Sequence, residues 1–290
     1  MENRVYEIGG HLVRMETENA SFLDKMGNLT PFRSEKTGPF ILNIRQIEAV
    51  TERYDKPMIV SEEAGFPNIT VGKTPTGKWF WEMAPLPKLP ISGRMLCSED
   101  FSEVEFSVVD PSEYLFTVNN VMMIAYAMRC ARFNTLSFHS SVIKKDGKGY
   151  LFLGRSGTGK STHSRLWLEN IPGCELLNDD NPVVRIKDDG TVTVYGTPWS
   201  GKTRCYKAEE LPVGAFVRII QAKENKIQRL KLVAAYACLY PSVSSFRPDG
   251  PIAEGLHNAL SAVATTVPCY NLECLPNADA AKLCFETVHE

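Results

Sequence analysis

Short apolar runs in the first part of the chain are separated by Gly, Pro, Asn and Asp residues. Runs of this length between such residues are typical of strands joined by turns. We predict strands at Val5–Ile8, Phe40–Ile44, Lys78–Glu82 and Val104–Val108. The pattern therefore indicates a β-rich N-terminal region covering residues 1–112.

The spacing of apolar residues becomes helical between Glu113 and Ala131, which predicts a buried helix. The apolar positions that carry this prediction are Leu115, Val118, Val121, Met122, Ala125, Met128 and Cys130. We place a domain boundary before this helix, so the second domain covers residues 113–290.

Strand and helix patterns are mixed in the remainder of the chain. The predicted strands are Leu136–Phe138, Ser141–Ile143, Tyr150–Leu153, Glu175–Asn178, Val183–Ile186, Thr191–Tyr195 and Tyr270–Leu275. The predicted helices are Lys160–Asn170, Leu230–Tyr240, Ile252–Val267 and a last helix from Ala278. Lys145-Asp146-Gly147-Lys148 predicts a hairpin turn. The order indicates an α/β domain.

Charge and composition narrow the classes of partner. The chain has 290 residues, 32 basic and 34 acidic, with a net charge of −2, so neither a nucleic acid nor a membrane surface is expected as a partner. The longest apolar run, Val121–Met128, is too short to span a bilayer, and no signal peptide is apparent, so we expect a cytoplasmic protein. The eight scattered cysteines are expected to be reduced and mostly buried. Whether the chain forms a homo-oligomer stays open.

A glycine-rich segment follows the predicted strand Tyr150–Leu153 and precedes the predicted helix from Lys160. Gly154-Arg155-Ser156-Gly157-Thr158-Gly159-Lys160-Ser161-Thr162 fits the phosphate-binding pattern G-x-x-x-x-G-K-[ST]. Glycines let backbone N–H groups surround a phosphate, and the helix N-terminus favours the same anion. Lys160 is expected to contact the outer phosphates and Ser161 to bind Mg²⁺. The nucleotide-binding residues predicted from the pattern are Gly154, Ser156, Gly157, Thr158, Gly159, Lys160, Ser161 and Thr162.

Two adjacent carboxylates, Asp179 and Asp180, follow the short predicted strand Cys174–Asn178, which we expect to lie beside the strand that feeds the loop. Two carboxylates at such a strand end could have different roles, one binding the metal and the other accepting a proton. The alternative is a solvated turn. His139 follows another short strand, and on its own a single histidine is more often structural.

Together these motifs resemble two related families. Ser137-Phe138-His139-Ser140-Ser141, the loop Gly154–Thr162 and Leu177-Asn178-Asp179-Asp180 occur in the same order as in HPr kinase/phosphorylase and ATP-type phosphoenolpyruvate carboxykinase. The chain also resembles a group of uncharacterised HPr-kinase-like proteins with a Gly-Thr-Pro-Trp segment, here Gly196–Trp199. The resemblance covers residues 115–290 and implies a P-loop domain with a mixed sheet after the β-rich N-terminal region.

The resemblance also implies roles for individual residues. Asp179 is similar to the general base of the HPr enzyme, His139 to the residue that orients this base, and Asp180 to the second, metal-associated carboxylate. The predicted catalytic set is Asp179, His139 and Lys160, and the predicted metal ligands are Ser161 and Asp180.

The resemblance has limits. HPr kinase carries a glutamate in a signature segment after the aspartate pair, whereas Tyr195–Lys202 contains no acid, so HPr is doubtful as the substrate. A carboxykinase is much longer and needs further metal ligands, so decarboxylation is not expected. Lys202 and Arg204 could contact a phosphate or substrate, or form a solvated basic turn.

The function predicted from these features is ATP- and Mg²⁺-dependent transfer of the γ-phosphoryl group to a hydroxyl, on a protein serine or a small molecule. Asp179 is expected to accept the hydroxyl proton. The alternative is a catalytically silent nucleotide-binding sensor or scaffold. The donor could also be pyrophosphate or another nucleotide, and a general P-loop ATPase or GTPase is disfavoured because no Asn-Lys-x-Asp motif occurs.

Overall fold

The protein divides into two compact units, Met1–Arg129 and Cys130–Glu290. The structure is a computed structural model that describes residues 1–18, 20–61 and 66–289. The two units are taken in turn.

The first unit is mainly β-structure. Its strands are β1 (Glu2–Ile8), β2 (His11–Thr17), β3 (Arg33–Ser34), β4 (Phe40–Gln46), β5 (Ile59–Ser61), β6 (Asn68–Lys73), β7 (Trp79–Ala84), β8 (Gly93–Cys97) and β9 (Glu103–Val108). Its helices are α1 (Ala20–Lys25), α2 (Tyr114–Cys130) and the short 3₁₀ helices Thr30–Phe32 and Pro111–Glu113. The four strands predicted in this region are confirmed, and β2, β3, β5, β6 and β8 are additional.

These nine strands form one mixed sheet in the order β3-β1-β2-β4-β9-β8-β7-β6-β5. The pairs β2–β4 and β4–β9 are parallel, and the other neighbours are antiparallel. Buried residues such as Met15, Leu42, Phe80 and Phe106 come from strands β2, β4, β7 and β9 of this sheet. Their burial supplies the hydrophobic stabilisation that holds the sheet together.

Helix α2 belongs to the first unit by its contacts. The hydroxyl of Tyr126 donates to the carbonyl of Ile8 at 2.9 Å, and Nε of Arg129 donates to the carbonyl of Ile41 at 2.8 Å. The prediction of a buried helix is confirmed, except that Leu115 is 49% exposed. The helix thus falls on the N-terminal side of the division, and the domain boundary at 112/113 stays a prediction.

The second unit contains strands and helices in mixed order. Its strands are β10 (Thr135–Phe138), β11 (Ser140–Lys145), β12 (Lys148–Leu153), β13 (Glu175–Asn178), β14 (Val183–Ile186), β15 (Val192–Tyr195), β16 (Glu210–Gln221), β17 (Lys226–Arg229), β18 (Val243–Ser244) and β19 (Cys269–Cys274). Its helices are α3 (Lys160–Asn170), α4 (Leu232–Leu239), α5 (Gly250–Thr266), α6 (Ala278–His289) and the 3₁₀ helices Ala131–Phe133 and Tyr240–Ser242. The predicted α/β class is confirmed.

The long strand β16 joins two parts of a mixed sheet whose order is β13-β11-β12-β16-β15-β14-β10-β18. The first residues of β16 pair antiparallel with β15, and its later residues pair in parallel with β12 and β19. Strand β19 also pairs antiparallel with β17. The central strand of the unit is therefore one that the sequence analysis does not predict.

Alternate residues of the central strands bury against helices on opposite faces. Leu151 and Phe216 lie in one core cluster with residues of α4 and α5, whereas Phe152 and Val217 lie in another with Trp167 of α3 and residues of α6. Both faces are buried, which explains why β12 reads as a continuous apolar run and not as an alternating one.

Strand direction brings three chain segments to one edge of this sheet. Because β11 is antiparallel to both β12 and β13, the start of β11 lies beside the ends of the other two, with Ser140 opposite Leu153 and Val142 opposite Asn178. The expectation that β13 lies directly beside β12 is wrong, since the β11–β12 hairpin places β11 between them. His139, the glycine-rich loop and the aspartate pair nevertheless meet at this edge.

All eight cysteines are free, six of them buried, as predicted. Among the described residues, no helix combines the length and the apolar character that crossing a bilayer requires.

Candidate functional site

The glycine-rich loop lies between the end of β12 and the first residue of α3, as the sequence pattern predicts. Gly154 has a φ of 147°, and a Cβ at this position would collide with Oγ1 of Thr158. Gly159, with a φ of 107°, directly precedes the helix. Both backbone conformations favour glycine. The free N–H groups in the first turn of α3 and the helix dipole make this end of the helix suited to an anion.

The predicted nucleotide-binding residues of the loop are accessible, except for one. All but Lys160 are partly or fully exposed: Gly154, Ser156, Gly157, Thr158, Gly159, Ser161 and Thr162. A ligand can therefore reach this loop from solvent.

Lys160 is only 8% exposed, and its ammonium group lies across the mouth of the loop. Its Nζ contacts the carbonyl oxygens of Gly154 at 2.9 Å and Arg155 at 3.3 Å, and Nε2 of His139 at 2.9 Å. An ammonium has three donors, and these three acceptors match them. Burial lowers the pKa of Lys160, while the charges of Asp180 and Asp179 oppose this shift. A cation is thus held at the mouth of the glycine-rich loop.

His139 links this lysine to the aspartate pair. Its Nδ1 lies 3.0 Å from Oδ1 of Asp180, and its backbone N–H donates to the carbonyl of Ser242 at 2.7 Å. A carboxylate only accepts and an ammonium only donates, so Nδ1 carries the hydrogen and Nε2 holds the lone pair. The resemblance assigns His139 to orienting Asp179, whereas its hydrogen bonds in the structure are to Asp180 and Lys160.

Asp179 is 6% exposed and is held by other groups. Its Oδ1 accepts a hydrogen bond from the hydroxyl of Ser141 at 2.9 Å, and Ser141 Oγ lies 2.6 Å from Oγ of Ser164 on α3. Its Oδ2 faces the backbone N–H of Thr203 at 3.4 Å. No role is predicted for Ser141 or Ser164 from the sequence, although Ser164 lies one helical turn after Lys160 and so on the same face of α3.

Asn178 fixes the turn that presents the two carboxylates. Its Oδ1 accepts from the backbone N–H groups of Asp180 at 2.9 Å and Asn181 at 3.0 Å. Its Nδ2 donates to Oγ1 of Thr197 at 3.2 Å and to the carbonyl of Trp199 at 3.1 Å. Asn178 is fully buried, so this turn is fixed by buried hydrogen bonds. It is not the solvated turn considered as an alternative.

The groups predicted to hold Mg²⁺ are compatible with this ion. The Ser161 residue is exposed in the first turn of α3, and the Asp180 side chain is 31% exposed. Mg²⁺ is usually bound through one or two carboxylates, substrate phosphates and water, so it does not need a cage of protein ligands. Among the described residues, no group of three or more His, Cys, Asp or Glu side chains is arranged to hold a metal.

Lys202 and Arg204 lie in a loop that crosses Asp179. The backbone N–H of Thr203, between them, is the group that faces Oδ2 of Asp179, and Gly201 packs against the Asp179 carbonyl. Both cations are exposed. Their loop therefore lies at the site, with their side chains available to a further ligand.

A cavity of about 500 Å³ adjoins the loop on the side of β16 and β19. Its apolar wall consists of Leu166, Ile219, Ala222, Cys274, Leu275 and Pro276, and the loop contributes Gly157, Thr158 and Gly159. Small-molecule sites are commonly cavities of this size with apolar walls. This cavity is not predictable from the sequence, because its wall combines residues of α3 with residues near β16 and β19, far apart in the chain.

Comparison with known proteins identifies no family. No protein-family model matches the chain, and no curated protein matches it. Among solved structures, the HPr(Ser) kinase/phosphatase from Coxiella burnetii is similar with a TM-score of 0.32 and 10% sequence identity, over 53% of this chain and 88% of that chain. At this TM-score the similarity assigns neither a family nor an activity.

Proposed function

We propose that this protein is a phosphotransferase that moves the γ-phosphoryl group of a nucleoside triphosphate, ATP with Mg²⁺, to a hydroxyl. The observation that carries the proposal is the cluster at the loop mouth. Lys160 contacts His139, His139 contacts Asp180, and Asp179 follows Asn178 in the same turn. A glycine-rich loop with a buried lysine and two carboxylates at the adjoining sheet edge provides the groups that phosphoryl transfer needs.

The loop and the cavity support a nucleotide as donor. The N-terminus of α3 and the ammonium of Lys160 favour the phosphates. The apolar cavity beside Gly157–Gly159 is large enough for a nucleoside. Pyrophosphate has no nucleoside group and would leave this cavity unfilled. ATP is therefore favoured over pyrophosphate as the donor.

The proposed catalysis consists of positioning and charge stabilisation, as is usual for phosphoryl transfer. Asp179 is held by Ser141 with its second oxygen toward the loop of Thr203, so one carboxylate oxygen can accept the proton of an acceptor hydroxyl. Ser161 and Asp180 would hold Mg²⁺, which neutralises phosphate charge when it is bound. Lys202 and Arg204, which are exposed, would contact the acceptor or the transferred phosphoryl group.

Replacement of Lys160 tests the phosphate site. Mg²⁺-ATP should stabilise the wild-type protein by about 2.7 kcal/mol at 100 times its Kd, which appears as a higher Tm. Lys160→Ala should lose most of this shift, because a phosphate contact is removed. Arg165→Ala is the matched control, since Arg165 is an exposed cation on the same helix. Equal shifts in wild type and Lys160→Ala would reject the assignment of the loop.

A silent nucleotide-binding protein is the second candidate, and one observation favours it. The Asp179 carboxylate is 6% exposed beneath the loop of Gly201 and Thr203, so an acceptor must displace or pass this loop to reach it. Mass spectrometry of the protein incubated with Mg²⁺-ATP and a metabolite pool distinguishes the two functions. A phosphorylated product supports the transferase, and nucleotide binding without any product supports the sensor.

A further inference from the structure

A second cavity, of about 430 Å³, lies against the glycine-rich loop and the end of β16. Residues 154–158 of the loop form one part of its wall, and residues 218–221 of β16 form the other. It shares Gly157, Thr158, Ile219 and Gln221 with the cavity proposed for the nucleoside. The two cavities therefore adjoin each other along the loop.

Arg218 is a cation in the wall of this second cavity. It lies opposite Leu153, the last residue of β12 before the loop, in the parallel pairing of β12 with β16. On its other side it lies opposite Asn271 of β19, and its Nε donates to Oδ1 of Asn271 at 2.9 Å. Neighbouring strands are about 4.7–4.9 Å apart, so Arg218 is one strand spacing from the strand that enters the loop.

The guanidinium of Arg218 has donors left for a ligand. A guanidinium carries five N–H donors, and Asn271 accepts from one of them. The described part of the chain provides no hydrogen bond or ion pair to Nη1 or Nη2 of this residue. Because the side chain is already fixed at Nε, its two Nη groups can bind an anion at a small entropic cost, and their planar fork matches two oxygens of a phosphate.

The walls of the two cavities give the order in which a nucleotide would meet these groups. Gly154 and Arg155, whose carbonyl oxygens contact Lys160 Nζ, line the second cavity. The second cavity therefore adjoins the nucleoside cavity on one side and the residues that hold Lys160 on the other. Phosphates that lead from the nucleoside to Lys160 pass Arg218 on the way.

Resting on the proposed function, we propose that Arg218 binds the inner phosphates, α and β, of the nucleoside triphosphate. Lys160 then binds the outer phosphates, so the two cations hold different parts of the phosphate chain. Asn271 is a positioning residue, since it contacts Arg218 and not the ligand. A diphosphate has the same inner phosphates, so Arg218 contributes to the affinity for both nucleotides.

Calorimetry of the full chain with Mg²⁺-ATP, Mg²⁺-ADP and adenosine tests this role. Arg218→Gln should raise the Kd of both nucleotides by about ten- to 150-fold, the factor for one hydrogen bond to a charged group, and leave the Kd of adenosine unchanged. Lys160→Ala should instead weaken the binding of ATP more than that of ADP.

Two further variants complete the comparison. Arg218→Lys keeps the charge but not the planar fork, so its affinities should lie between those of Arg218→Gln and wild type. It also gives a second test of the same contact if Arg218→Gln does not fold. Arg229→Gln is the matched control, since Arg229 is an exposed arginine on β17 of the same sheet, and it should bind all three ligands like wild type.

The outcomes separate this inference from the proposed function. Wild-type affinity of Arg218→Gln for both nucleotides would overturn the inference and leave the proposed function intact. A loss for ATP without a loss for ADP would also overturn it, because Arg218 would then contact the outermost phosphate. An equal loss for adenosine would do the same, since the substitution would then act through the nucleoside cavity. Absence of ATP binding in wild type would reject the proposed function, and this role of Arg218 with it.

Discussion

Replacing Asp179 with asparagine tests the proposed base directly. The substitution keeps the size and shape of the side chain and removes its basicity. One amide oxygen can still accept from the Ser141 hydroxyl at Oδ1, and the new NH₂ group then faces the N–H of Thr203, which lies at 3.4 Å in the native protein. Among the contacts of this carboxylate with the described residues, the one placed at risk is therefore this long one.

The magnitudes for stability and for rate differ enough to be separated. Loss of one weak hydrogen bond costs about 0.5–1.5 kcal/mol of unfolding free energy. Loss of a general base commonly reduces the rate by about 10²–10⁴. At 1.36 kcal/mol per factor of ten, this corresponds to about 3–5 kcal/mol in the activation barrier. Asp179→Asn should thus fold and bind ATP with nearly the wild-type Kd, yet lose turnover.

The assay pairs calorimetric ATP binding with turnover of an acceptor identified in the metabolite screen. Ser141→Ala is the matched control, because it removes the hydrogen bond to Asp179 and keeps the carboxylate. We expect Ser141→Ala to retain far more activity than Asp179→Asn. Unchanged turnover in Asp179→Asn would show that Asp179 is not the base and that the division of tasks between the carboxylates is wrong.

Three further perturbations address other parts of the unit. Ala222→Trp, which fills the cavity, should weaken ATP binding and leave inorganic tripolyphosphate binding unchanged in calorimetry; equal losses for both ligands would contradict the nucleoside cavity. Gly154→Ala should lower ATP affinity by about five- to 150-fold, because its Cβ would meet Thr158 Oγ1 and its positive φ would cost about 1–3 kcal/mol. Burial lowers the pKa of His163 to about 4. Below about pH 6.5 the unfolded chain therefore takes up a proton at this histidine that the folded protein does not. The free energy of unfolding should fall by up to about 3 kcal/mol as the pH drops toward 4. Urea unfolding at both pH values should show this loss reduced in His163→Gln, whose amide oxygen can still accept from Trp167 Nε1; an identical pH dependence would refute it.

Local signals explain what could be predicted from the sequence. The turn Asp146-Gly147 has positive φ at both residues, as an Asp-Gly hairpin requires, and it sets the β11–β12 register without distant contacts. The loop Gly154–Thr162 is also determined locally, because its glycines and the helix that follows can be predicted from neighbouring residues. Four strands of the N-terminal region were predictable for the same reason.

Distant pairings explain what could not be predicted. Strand β16 contains Pro212, Gly214 and Arg218 within its apolar run, and its two parallel partners, β12 and β19, lie far from it in the chain. The pairing of His139 with Asp180, and not with Asp179, depends on the register between β11 and β13 and on the turn that Asn178 holds. Neither sequence spacing nor composition encodes such geometry directly.

The parallel pairing of β12 with β16 has a consequence for how the protein folds. Leu151 is opposite Phe216, and Phe216 in turn is opposite Cys269, so the sheet beneath the loop closes only after nearly the whole second unit has been synthesised. Non-local parallel pairing of this kind makes folding slow. The hairpin carrying His139 and the glycine loop can form early, but the cavity wall from β19 comes last. Binding of a nucleotide is therefore expected to report the end of folding, and a nascent chain ending before β19 should not bind it.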